Sequence, residues 1–203
     1  MSKKAAACGV LAAAALSASM AAHANLITNG DFETGDFSGW TTSIDPVWDG
    51  VDTLAPQAGT YAAFFGNPTG TSAISQTLAT AAGTTYNVLF WLMAEADPTG
   101  NSVPNSFSFE WDGAAGAPAI VNTGPFGYTQ FQYQLVASSA STTLAFLFSD
   151  TPAFWDFDSV DVTAVANAVP EPTSLALVLG ALGGLLAVSR RPRAKAETVH
   201  SAG

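Results

Sequence analysis

The sequence predicts an all-β domain, an antiparallel β-sandwich closed as a jelly roll, with an immunoglobulin-like sandwich as the alternative. Three observations predict it. Apolar residues between positions 25 and 168 recur with period two, Gly, Pro, Asn and Asp punctuate them at short intervals, and no stretch keeps a helical period. A half-buried strand turns alternate side chains to core and solvent, so this spacing is its direct signature.

The elements follow in order of clarity. Tyr86, Val88, Phe90 and Leu92 fall on one face of a strand. Phe107, Phe109 and Trp111 alternate with Ser106, Ser108 and Glu110, and Phe131, Tyr133 and Leu135 alternate with Gln130, Gln132 and Gln134. Leu144, Phe146 and Phe148 repeat the pattern. Further strands are expected at Leu26–Thr28, Gly39–Ile44, Thr60–Phe65, Ala73–Leu78 and Phe154–Thr163. The loops around Asp45-Pro46, Asp97–Gly100 and Gly113–Pro118 are where ligand contacts are expected.

Charge divides the 203 residues into segments. All six Lys and Arg lie at the ends: Lys3 and Lys4, then Arg190, Arg191, Arg193 and Lys195. The body holds 14 of the 16 carboxylates and no Lys, Arg or His. A polyanion repels nucleic-acid phosphates and anionic lipid, so both partners are excluded. The single cysteine, Cys8, precedes the body, which therefore has no disulfide and no thiol nucleophile.

Residues 1–24 read as a signal peptide, with Lys3 and Lys4 before an apolar run and Ala22-His23-Ala24 supplying the small residues of a cleavage site after Ala24. At the other end, Val169-Pro170-Glu171-Pro172 precedes a hydrophobic helix expected over 174–189, then Arg190-Arg191. This succession resembles the sorting signal of the PEP-CTERM proteins, over residues 169–193, with 194–203 as a cytoplasmic tail. The resemblance implies recognition by an exosortase at the inner membrane of a Gram-negative bacterium, transient membrane anchoring, and release to the cell surface or an exopolysaccharide (biofilm) matrix. The chain departs from that pattern by continuing about a dozen residues past Arg191.

The body carries a second resemblance. Asn29-Gly30-Asp31-Phe32-Glu33, Gly39-Trp40, Gly59-Thr60-Tyr61-Ala62 and Phe157-Asp158-Ser159-Val160-Asp161-Val162 resemble the strand-edge phrases of carbohydrate-binding-module jelly rolls with a galactose-binding-like fold. Ser159 stands where that pattern has a second Asp. The likeness implies a structural calcium ion joining the first and last strands, with Glu33 and Asp158 as ligands and Asp31, on the same strand face as Glu33, assisting. The segment from Asp45 to Pro56 is no helix-loop-helix calcium loop, because Val47 and Pro56 occupy ligand positions.

Without His, Cys, Lys or Arg the body lacks a member of every Ser-His-Asp or Cys-His triad, zinc site and phosphate clamp. A non-enzyme is therefore expected. It would be a surface-associated matrix protein that binds extracellular polysaccharide, or a structural and adhesive one with no sugar site. A carboxylate-pair glycosidase using Glu95 and Glu110 is the remote alternative. Sugar recognition calls for exposed aromatic faces, and Trp48 and Trp155, each beside an Asp, are the candidates. Trp40 is assigned to the core, and Trp91 to the face opposite Phe90.

Overall fold

The computed structural model describes residues 24–165, which contain eleven strands and no helix. The signal segment before Ala24, and the sorting motif with Val169, Pro170, Glu171, Pro172, Arg190 and Arg191, lie outside them. Ala24 itself is exposed.

The strands are β1 (Thr41–Ser43), β2 (Asp49–Asp52), β3 (Ala62–Phe65), β4 (Ser72–Ala79), β5 (Thr85–Ala94), β6 (Asn105–Trp111), β7 (Ala114–Ala115), β8 (Ile120–Val121), β9 (Phe126–Val136), β10 (Ser141–Asp150) and β11 (Trp155–Ala164). All pair antiparallel. One sheet runs β1-β4-β10-β6-β7, with β8 also on β6; the other runs β2-β3-β11-β5-β9. The expected two-sheet sandwich is thus the fold observed.

Period two decides which faces meet. In β5 the odd positions from Thr85 are half-buried while Tyr86, Val88, Phe90, Leu92 and Ala94 are buried. Phe107, Phe109 and Trp111 of β6 and Leu144, Phe146 and Phe148 of β10 answer them from the other sheet. The core between the sheets is aromatic: Phe90 lies 5.3 Å from Phe146 and 5.4 Å from Phe107 by ring centroid, and Phe157 lies 4.7 Å from Phe146. Trp40 joins this core, stacked on Phe32 at 5.8 Å.

Leu26–Thr28 departs from expectation. It runs beside β11, with Leu26 N–H donating to Val162 O at 2.8 Å, but is not a strand. Side chains take the ladder positions: Asn25 Oδ1 accepts from Val162 N at 2.9 Å, and Gln76 bonds both the N–H and the carbonyl of Thr28. Strand β2 is the converse case, since Asp49-Gly50-Val51-Asp52 has no apolar alternation and forms by pairing with β3.

Candidate functional site

The outer face of the second sheet carries the site. Register sets Asp156 of β11 between Met93 of β5 and Phe64 of β3, and Gly50 of β2 on the far side of Phe64. Asp158, two residues on, points the same way and pairs with Trp91. The segment between β2 and β3 folds over these two acids, held by Tyr128 Oη, which donates to Ala55 O at 2.7 Å.

The two buried aspartates differ in their partners. Asp158 Oδ2 accepts N–H groups from Gln57 at 2.9 Å and Ala58 at 3.1 Å, and Oδ1 accepts from Ser159 at 2.6 Å. Asp156 is 5% exposed, and its Oδ2 has no hydrogen-bond partner. It lines a cleft of about 310 Å³ together with Asp52, Leu54, Ala55, Phe64, Glu95 and Phe154. A buried unpaired acceptor is destabilising in a resting fold; Asp150 Oδ2 is the other such atom among the described residues, but it does not line the cleft.

Burial, and then the Glu95 carboxylate within hydrogen-bonding reach, push Asp156 up to about 8. Asp156 therefore keeps its proton near neutrality. Asp150, at the end of β10, is raised to about 6, first by burial. Tyr128 is raised as well, by burial and by the field of Asp156, Asp158, Glu95 and Asp52, so it stays a neutral donor.

Two glycines make room for the apolar wall. Phe64 and Phe154 meet edge to face at 5.8 Å. A Cβ at Gly50 would lie 2.8 Å from the Phe64 ring, and one at Gly66 would lie 2.3 Å from Phe154. Gly66→Ala is expected to lower stability by on the order of 1–3 kcal/mol through overpacking. Gly70→Ala, where a Cβ would meet nothing closer than 3.5 Å, is the control in urea unfolding; equal midpoints would refute this account of the wall.

The sequence-predicted residues fare differently. Glu33 Oε1 accepts from Thr60 N at 2.7 Å and Tyr61 N at 2.9 Å, bonds that hold its carboxyl below the ordinary range. Glu33 and Asp158 thus tie down successive parts of one loop. Asp31 is exposed and accepts only from Glu33 N, at 3.4 Å. Among the described residues no three acids gather as metal ligands. If the loop is held by these bonds alone, chelator leaves the melting midpoint unchanged; a midpoint that rises with added calcium would restore the ion.

Trp155 is a correction. It is fully buried, its Nε1 donates to Ser149 O at 3.0 Å, and it faces the core with Phe157. The cleft-facing residue is its neighbour Asp156. Trp48 is 42% exposed in the turn before β2 but does not line the cleft. Trp91 is half-buried on the outer face. Glu95 follows β5 and lines the cleft, whereas Glu110 lies on the outer face of the other sheet, opposite Ala145. The sandwich therefore separates the two acids that a Glu95–Glu110 glycosidase would need together.

No family model matches the chain, and no curated protein matches it in sequence. Solved structures do match the fold. TmCBM61, solved in complex with beta-1,4-galactotriose, is 20% identical with a TM-score of 0.55, covering 71% of this chain and 99% of that one. The CBM22-1-CBM22-2 tandem domain of Xyn10C from Paenibacillus barcinonensis is 19% identical with a TM-score of 0.54, covering 76% of this chain and 49% of that one. The K1 cleaved adhesin domain of Lys-gingipain from Porphyromonas gingivalis is 16% identical with a TM-score of 0.50, covering 67% and 96%. The body has the fold of carbohydrate-binding modules.

Proposed function

We propose that the body is a non-catalytic saccharide-binding domain whose site is the Asp156 cleft. The observation that carries this is a buried, unpartnered carboxyl facing a cleft walled by Phe64 and Phe154. A pyranose offers hydroxyl donors around its rim and an apolar C–H face, which these two elements complement. The volume lies at the lower end of ligand cavities, roughly 300–1,000 Å³. The resemblance of the fold to modules such as the galactotriose-bound one supports the same reading.

The ends of the chain complete the proposal. The PEP-CTERM-like segment directs the exported body, by way of an exosortase, to the cell surface or the exopolysaccharide matrix. There the cleft holds polysaccharide. Calorimetric titration of the chain with a panel of neutral and amino-sugar oligosaccharides tests the cleft: Phe64→Ala and Phe154→Ala are expected to weaken binding about tenfold or more, equivalent to at least about 1.4 kcal/mol. Absence of binding to every saccharide would leave a structural matrix role in its place. Mass spectrometry of the native C-terminus tests sorting, and an intact end at Gly203 would overturn it.

A further inference from the structure

The geometry points to an amino sugar as the ligand: the Asp156 cleft selects a saccharide carrying a free ammonium group over its N-acetylated, neutral and acidic counterparts. This deepens the proposed saccharide reading and rests on it.

The first argument is electrostatic. Every charged side chain lining the cleft is an acid: Asp52 from β2, Glu95 after β5 and Asp156 from β11. Glu95 also acts on Asp150 at the end of β10, Asp158 lies two residues along β11, and Tyr128 of β9 faces the same acids as a neutral phenol. The segment from 24 to 165 has no Lys, Arg or His to offset them. A uronate or a sulfated sugar would be repelled.

The second argument is one of donors. Asp156 Oδ2 is buried without a partner, and the Glu95 carboxyl lies beside it. Burial beside Glu95 leaves Asp156 protonated, and that proton stands where a cation would. A neutral hydroxyl brings a single donor and cannot neutralise a second carboxylate. An alkylammonium brings three N–H donors and a full charge, so it reaches Asp156 and Glu95 together and releases the Asp156 proton to solvent. The balance is R–NH3⁺ plus protonated Asp156 giving R–NH3⁺ on the Asp156 carboxylate plus one free proton. Phe64 and Phe154 then cover the C–H face of the ring that carries the amine.

The test titrates the full chain with glucosamine oligosaccharides, with N-acetylglucosamine oligosaccharides and with neutral oligosaccharides of equal length. It runs at about pH 6, where the amine is charged and Asp156 protonated, in two buffers of different ionisation enthalpy. The glucosamine oligomer is expected to bind at least about tenfold tighter than its acetylated form, with close to one proton released. Asp156→Asn abolishes both the preference and the proton release. Asp112→Asn, remote on the other sheet in the turn between β6 and β7, keeps both, which separates the cleft from the general attraction of a polyanion.

Equal binding of the acetylated and free amines, or tighter binding without proton release, would overturn amine selection and leave the saccharide reading standing. Binding of no saccharide would overturn both. A lysine-containing peptide binding as tightly as the glucosamine oligomer would overturn the saccharide half of the assignment.

Discussion

Phe90→Ala is expected to remove about 4–5 kcal/mol, the upper end for a buried aromatic, and to leave a domain that is largely unfolded in low urea. Phe90 is fully buried at the centre of β5, with Phe107 and Phe146 of the facing sheet at 5.4 and 5.3 Å and Phe157 of β11 at 5.6 Å. Its truncation empties a space bounded by both sheets, and rigid rings on either side cannot collapse into it. Phe131 stacks on the same ring at 5.6 Å but is only half-buried on the edge strand β9. Its alanine variant should cost roughly half as much, because solvent already reaches that side. Urea midpoints at constant m-value measure both, and equal losses would mean that the core is not organised around Phe90.

The residues that carry this core were the most legible part of the sequence. Tyr86 to Leu92, Phe107 to Trp111 and Leu144 to Phe148 alternate without interruption, and a two-residue period has only one way to face a partner sheet. The outer face was less legible because its signals are tertiary. Asp49-Gly50-Val51-Asp52 becomes β2 only through β3, and Gly50 is needed there because the Phe64 ring lies against it. The cleft-lining residue was missed by one position. Phe157 was readable as a core residue, and parity along β11 then turns Trp155 inward and Asp156 outward. The local rule that an aromatic beside an acid is a sugar contact pointed to the core-facing member of the pair. Glu33 and Asp158 were singled out as ligands of a calcium ion, and in the structure their carboxylates accept from the backbone of residues 57–61. No periodicity encodes that loop.

The same Asp156 that makes the cleft a site should make the domain less stable as pH rises. Its carboxyl is raised to about 8 and that of Asp150 to about 6 in the fold, while both titrate near 3.8 when exposed. Between those limits the native state holds protons that the unfolded chain has released, so stability falls with increasing pH. The contribution is complete below about pH 4, is lost through the folded values, and is gone above about pH 8. Glu33, Asp36 and Asp97 run the other way, since backbone and side-chain donors lower them in the fold, and they withdraw support only in more acid solution. Melting midpoints should therefore peak near pH 4–5 and decline steadily to about pH 8.5. Asp156→Asn is expected to be more stable than the parent at pH 8 and to flatten the decline above pH 6. An asparagine amide brings a donor to the same place, without any charge to desolvate. Asp150→Asn should flatten only the lower part, between about pH 4 and 6. A midpoint that rises with pH through this window, or an unchanged slope in Asp156→Asn, would show that the carboxyl is solvated and ionised in the fold. The cleft would then hold no stored proton for an arriving ammonium to displace.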